Sequence, residues 1–345
     1  MKLSRFAGKF AVGVAACAVL VSSAFAKSEL LVYTAVEADE LAKFKGAFEQ
    51  AYPDIEIKWV RDSTGIMTAK LLAEKDNPKA DVVWGLAATS LGLLAKQGYF
   101  QGYAPKGVDK LEKKYIDLKN KTPHWVGQRV YAAAVCYNTV EGKKHNLPVP
   151  TTWQDLAKPI YKGHVIMPNP NSSGTGFLDV SAWLQMWGEE KGWKFMDGLH
   201  ESISRYTHSG SAPCKLAASG ETPIGISFAY RVLKSKAEGA PLELVLPKEG
   251  LGWEVEAFAI VKATKQGDAA RKFADWSVSE DAMKLYANGY EAVAMKGFAN
   301  PTEGMPADIQ KRFVKNDFNW AAENRERILK EWAKRYDAKS DPKKN

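Results

Sequence analysis

The sequence predicts an α/β protein of two lobes joined by two hinge strands. Three observations carry this. Strand and helix signals alternate in two separate blocks, the pattern of parallel sheets with crossover helices. Two long apolar strands stand between and after those blocks. The chain has 345 residues, more than one hydrophobic core usually supports, since single cores stop growing beyond about 250–300 residues.

The first residues set the compartment. Lys2, Arg5 and Lys9 precede an apolar run, Phe10 to Val21, and Ala24-Phe25-Ala26 offers a small-x-small cleavage site. This predicts a cleavable secretory signal peptide over 1–26 and an exported mature chain. Val14-Ala15-Ala16-Cys17 offers the alternative of a lipid anchor at Cys17. No later apolar stretch has the length of a membrane span.

The first block then reads in order. Glu29–Thr34 is a short apolar strand, and Leu41, Phe44 and Phe48 fall at helical spacing. Ile55–Val60 alternates with period two; a helix follows from Ile66, a strand at "ADVVWG" and a helix closed by Gly98. Arg129–Val140 is a long apolar strand, and Thr152 caps a short helix after it. The second block runs strand "HVIMPN", helix from Gly174, helix "GWKFMDGLHESI", loop "THSGSAP", helix to Ser219 and strand "IGISFA". "LELVLP" and "WEVEAFAIVK" are strands. From Lys265 onward the chain reads as helices, one of them spanning "PADIQKRFVKNDFNWAAENRERILKEWAKRYD". The crossings between lobes are placed near Tyr131–Asn138 and Trp253–Val261. Lobe 1 then comprises 27–133 and 255–345, with the C-terminal helices rejoining it, and lobe 2 comprises 134–254. Such a hinge closes around a ligand in the cleft.

The formal net charge of +8 comes from 48 basic and 40 acidic residues that alternate along the chain. That dispersal gives no nucleic-acid footprint, though a diffuse positive field gathers anions. Catalytic patterns are lacking. "GISFA" ends in Ala229 where a nucleophile elbow needs Gly, and the five histidines show no metal-ligand spacing. A hydrolase would need a nucleophile–base pair or a metal site, so an enzyme is not expected, and no cofactor is implied. Cys136 and Cys214 are the two cysteines after cleavage; in an exported chain they read as one disulfide, with two buried thiols as the alternative.

Four loops share one character. Arg61–Lys70, Trp84–Leu94, Asn171–Val180 and His208–Ala218 each follow a strand, or the place of one, and open a helix rich in Ser, Thr or Gly. A single Ser or Thr there is ordinarily a cap. Helix N-termini also present free N–H groups and partial positive charge, and four such loops, two per block, suit an oxyanion held between lobes. No Gly-Lys-Ser/Thr follows any of them, so none is a nucleotide loop. Ser63 and Thr64, the Trp84–Ala87 turn, Ser172, Ser173, Gly174 and Thr175, and Ser209 are the candidate donors. Thr34 closes the first strand beside them. Glu37, Asp62, Glu254 and Glu256 sit near strand ends or on the return strand, where one of them can pair with a ligand ammonium; Glu37 reads equally as a first-turn acid, and the strand pair as a solvated face. Trp84, Phe228 and Tyr230 are candidate walls, or core.

Five segments, "LLVYTAVEAD", "IKWVRDSTGIMTAKLLAEKDNPKADVVWGLAATSLGLL", "VIMPNPNSSGTGFLDVSAWLQ", "YTHSGSAPCKLAASGETPIGISFAYR" and "WEVEAFAIVK", resemble the periplasmic solute-binding proteins of ABC transporters for 2-aminoethylphosphonate. That family is similar in fold to the ferric-iron-binding proteins. The resemblance implies a type II periplasmic-binding fold, a monomer in the periplasm, a small zwitterionic phosphonate as ligand, and a membrane permease as partner. It matches Ser63, Thr64, Trp84–Ala87 and Ser172–Thr175 to the phosphonate side; of the acids, Glu37 and Glu256 are expected to meet the amine. The iron branch uses adjacent tyrosines; here Tyr230 is followed by Arg231 and no Tyr-Tyr pair occurs. Another phosphorylated small molecule or a ferric-iron complex is the alternative ligand.

Overall fold

A computed structural model describes residues 27–298 and 302–342. The signal-peptide reading and Cys17 lie outside those residues.

The first block is β1 (Ser28–Thr34), α1 (Leu41–Ala51), β2 (Ile55–Arg61), α2 (Thr64–Ala73), β3 (Val82–Ala87) and α3 (Ala88–Lys96). A long strand, β4 (Val126–Asn138), and a short helix, α4 (Thr139–Lys144), lead to the second block. That block is β5 (Val165–Pro168), α5 (Gly174–Trp187), α6 (Glu189–Ser202), β6 (Ile203–Thr207), α7 (Ala212–Ala218), β7 (Ile224–Phe228), α8 (Ala229–Ala237) and β8 (Leu242–Val245). The chain returns through β9 (Trp253–Ile260), then α9 (Gly267–Ser277), α10 (Glu280–Ala287), β10 (Ala292–Val293) and α11 (Phe318–Tyr336).

The strands form one curled sheet in the order β2-β1-β3-β9-β4-β7-β5-β6. β1, β2 and β3 are parallel, as are β5, β6 and β7. β4 belongs to both halves. Its first part pairs with β9 and β10, and its later part with β7 and β8. Every residue of β4 is buried, which explains its unbroken apolar reading: a strand covered on both faces has no polar side to alternate with.

Two cores flank the sheet. In the first, Trp84 packs against Phe44, Trp59, Phe273 and Tyr286, with α9 and α10 closing over it. In the second, Trp153, Trp183 and Phe195 form an edge-to-face chain. Ile328, Trp332 and Tyr336 of α11 lie in this second core, and α11 also packs against α3 of the first block. A third, smaller cluster holds Cys136 of β4 and Cys214 of α7, joined by a disulfide with Cα atoms 5.4 Å apart.

The second block contains two elements that its sequence pattern conceals. β6 starts directly at the end of α6, and α8 starts directly at the end of β7, where Phe228 offers no side-chain cap. Residues 306–317, which carry helical spacing, hold only one short 3₁₀ turn at Ile309–Arg312. There Val314 N–H donates to Leu251 O, and Leu251 N–H to Arg312 O. Pairing with Leu251 therefore replaces helical pairing. The helix begins only at Asp317, whose carboxylate accepts the N–H groups of Asn319 and Trp320.

Candidate functional site

Two sets of three parallel strands, β1–β3 and β5–β7, end at one place. Glu37 follows β1, Ser63 and Thr64 follow β2, and Ala87 ends β3; Ser173–Thr175 follow β5, Ser209 and Gly210 follow β6, and Phe228 ends β7. All of these line a single cavity, together with Ala35, Arg61, Gly85, Tyr131 and Glu256. Ligand sites in parallel sheets lie at the carboxyl ends of the strands for this reason: loops and helix N-termini gather there.

Two helix N-termini meet across the cavity. α2 opens behind Ser63, whose backbone is extended and whose hydroxyl makes no cap bond. α5 opens behind Ser173, whose Oγ accepts the Gly176 N–H at 3.2 Å. The first turn of a helix leaves its leading N–H groups without intrahelical acceptors. Capping Gly176 leaves those of Gly174 and Thr175 to the cavity. The halves touch directly where Gly65 N–H donates to Ser172 O at 2.9 Å. Gly65 permits this, because a Cβ there would stand 2.1 Å from Asn171 O. A Cβ on Gly174 would likewise meet Thr64 Oγ1, and one on Gly210 would meet Thr175 Oγ1 and Ser173 Oγ. Small residues therefore bring the hydroxyls of both halves within a few ångströms of one another.

The cavity encloses about 50 Å³, against roughly 10–15 Å³ for a single water. That is room for several water-sized groups. Its walls are largely donors: hydroxyls of Ser63, Thr64, Tyr131, Ser173, Thr175 and Ser209, the N–H groups of α5, and the Arg61 guanidinium. Arg61 is steadied by its Nε, which donates to Val36 O at 3.0 Å.

Two carboxylates reach the cavity. Glu37 contacts Arg231 at 2.8 Å, Lys215 at 3.6 Å and Arg61 at 3.9 Å. Glu256 accepts from Arg129 Nε at 2.6 Å. The pairing follows from register, since Glu256 of β9 stands opposite Arg129 of β4. Arg129 is itself held by both oxygens of Glu40, at 2.9 and 2.8 Å. Burial pushes the Glu256 carboxyl up to about 7, with Arg129 pulling against it. Burial also raises Glu254 to about 7. Glu254 turns away from the cavity and accepts from Thr89 Oγ1 at 2.6 Å and from its neighbour's Val255 N–H. The start of α3 thus carries a carboxylate of the chain itself.

The sequence-predicted residues divide accordingly. Glu37, Ser63, Thr64, Ala87, Ser173, Gly174, Thr175, Ser209 and Glu256 meet in the cavity. Thr34 is buried beneath it, its Oγ1 accepting the Val36 N–H. Asp62 accepts the Ser63 N–H, and Ser172 Oγ donates to His208 O; both line a separate outer groove. Trp84 faces the first core and donates to Ser277 Oγ. Tyr230 stacks on Tyr290, centroids 4.4 Å apart, behind the lining. Arg61 and Tyr131, which sequence reasoning did not nominate, are brought in by tertiary packing. Arg61 alone had a signal: a cation one residue before the Asp62-Ser63-Thr64 turn.

Residues 77–324 match a family model described as bacterial extracellular solute-binding protein. An uncharacterized protein of Haemophilus influenzae is 32% identical over 83% of this chain and 83% of its own. A probable ABC transporter periplasmic-binding protein, y4fP of Sinorhizobium fredii, is 28% identical over 81% of this chain and 78% of its own. Among solved structures, the periplasmic binding protein AfuA of Actinobacillus pleuropneumoniae, with fructose-6-phosphate bound, superposes with a TM-score of 0.84 at 29% identity, covering 90% of this chain and 99% of that one. Iron-bound HitA of Pseudomonas aeruginosa shares the fold at 20% identity and a TM-score of 0.75, over 88% of this chain and 99% of its own.

Proposed function

We infer the function from one premise: this chain belongs to the bacterial extracellular solute-binding protein family. It is a periplasmic solute-binding protein of an ABC transporter, with a permease as partner, and not an enzyme. Within that class we propose that its ligand is 2-aminoethylphosphonate.

One observation carries the proposal. A small cavity is walled by hydroxyls and helix N-termini from both lobes, with a half-buried carboxylate, Glu256, in its lining. A phosphonate dianion has three acceptor oxygens and suits donors converging from opposite sides. Ser63, Thr64 and Arg61 would serve it from one lobe, and Ser173, Thr175 and the α5 N–H groups from the other. Two carbons away, its ammonium needs an acid. The lobes grip opposite sides of the ligand, so binding energy is spent on closure.

A sugar phosphate is the second reading, favoured by the fructose-6-phosphate in AfuA. The same phosphate clamp would serve it; the two readings differ in what the rest of the ligand meets, a carboxylate for an ammonium or hydroxyl partners for a sugar. A thermal-shift panel separates the two. A ligand at a hundredfold its dissociation constant stabilises by about 2.7 kcal/mol. The expected order is 2-aminoethylphosphonate above ethylphosphonate and phosphate, with fructose 6-phosphate and ferric citrate giving no shift. A larger shift with fructose 6-phosphate would overturn the aminophosphonate reading.

A further inference from the structure

We propose that the two cavity carboxylates have separate tasks: Glu256 receives the ligand's cation, while Glu37 belongs to a latch that holds the lobes together. The assignment rests on the aminophosphonate reading and adds to it the orientation of the ligand.

The surroundings of the two acids differ in charge balance. Glu37 lies in the loop after β1, and its carboxylate is met by Arg231 of α8 at 2.8 Å, Lys215 of α7 at 3.6 Å and Arg61 of β2 at 3.9 Å. Asp39, two residues on, pairs with Arg231 and Lys234 of α8. Four cations thus serve two acids, and Arg231 is 2% exposed. A ligand ammonium placed there would enter a region already rich in positive charge. All but one of these contacts cross from the first half of the molecule to the second. They exist only while the cleft is shut.

Glu256 faces the opposite balance. Among the described residues its cationic partner is Arg129, which Glu40 chelates through both terminal nitrogens, leaving Glu256 the Nε contact. Lys43 reaches Glu40 at 3.3 Å but not Glu256. Glu254 on the same strand, and Glu291, whose Oε1 accepts the Ala132 N–H, add buried acid nearby. Arg325, buried with two nitrogens unpartnered, also lies near Glu254. Burial favours the neutral form of Glu254 and Glu291, so Glu256 is left with one cation, shared with Glu40, where Glu37 has three. An ammonium beside Glu256 meets that one shared cation, with Oε1 outside the Arg129 hydrogen bond, while a phosphonate at the mouths of α2 and α5 takes up the surplus on the Arg61 side. The cavity is therefore polar end to end, and it orients a zwitterion.

Calorimetric titrations of 2-aminoethylphosphonate and ethylphosphonate, which lacks only the amine, test the division. The ratio of their affinities in the wild-type protein measures the cation contact. In Glu256→Gln that ratio is expected to fall about ten- to hundredfold, the worth of one charge-assisted hydrogen bond. Glu256→Asp, which keeps the charge one methylene further back, is expected to fall between. In Glu37→Gln both ligands should weaken by the same factor, with the ratio kept. A ratio preserved in Glu256→Gln, or lost in Glu37→Gln, overturns the assignment. Wild-type protein that binds neither ligand would refute the aminophosphonate reading itself, and the assignment with it, a result distinguishable from either.

Discussion

Ser173 stands where the fold and the proposed ligand site meet. Its Oγ caps Gly176, and the residue lines the cavity. Ser173→Ala removes a donor to the ligand and a helix cap together. Phosphonate binding is expected to weaken by about 1–3 kcal/mol, with unfolding stability lower by about 0.5–2 kcal/mol. Thr64→Ala, at a hydroxyl that caps nothing, should cost the binding and spare the stability. Calorimetry beside thermal unfolding checks both; equal losses of stability would contradict the separation. A second residue-scale prediction concerns Glu291. Burial raises its carboxyl to about 8, and its Oε2 has no partner. A raised folded-state value favours the protonated form, so its stabilising effect is whole below pH 4.5 and is lost as pH rises through about 8. Glu291→Gln stays neutral throughout. The variant should therefore gain stability relative to wild type between pH 5 and pH 8.5, at up to about 1.4 kcal/mol per pKa unit of the shift. A difference flat with pH would contradict it.

At the scale of elements, the contact of α2 with the second lobe depends on a missing side chain. Gly65→Ala places a Cβ against Asn171 O, a clash that exists only in the closed arrangement. Overpacking costs about 1–3 kcal/mol, here charged to closure alone. Ligand affinity should drop about ten- to hundredfold while the ligand-free protein unfolds as wild type does, and scattering should show less compaction on adding ligand. The disulfide between β4 and α7 spans 78 residues; replacing both cysteines by alanine should cost about 2–4 kcal/mol of stability and leave binding intact. Elements also show what was legible in the sequence. β4 and β9 were readable because their apolar runs are long, and α5 because its hydroxyl run and core face adjoin. α8 and β6 were not, because each joins its predecessor with no loop or cap. The spacing at 306–317 suggested helix, but pairing of Val314 and Arg312 with Leu251 overrode it. The site was legible to the same degree. Loop composition nominated Ser63, Thr64 and Ser173–Thr175, since polar residues at helix mouths advertise themselves. Nothing local separates Trp84 or Tyr230, which serve packing, from Tyr131, which reaches the cavity from the middle of a buried strand.

The whole molecule is a clamp whose halves each supply an incomplete site. Neither lobe alone closes the cavity: Thr64 and Arg61 stand on one side, and Thr175 and Ser209 on the other. Closure joins them and engages Glu37 and Asp39 with Arg231, Lys215 and Lys234, so ligand binding and lobe contact stabilise the same state. The most direct test is a calorimetric titration of 2-aminoethylphosphonate into protein stripped of ligand by unfolding and refolding. Saturable one-to-one binding is predicted. Absence of heat, with saturable binding of fructose 6-phosphate under the same conditions, would contradict the assignment of this cavity to an aminophosphonate.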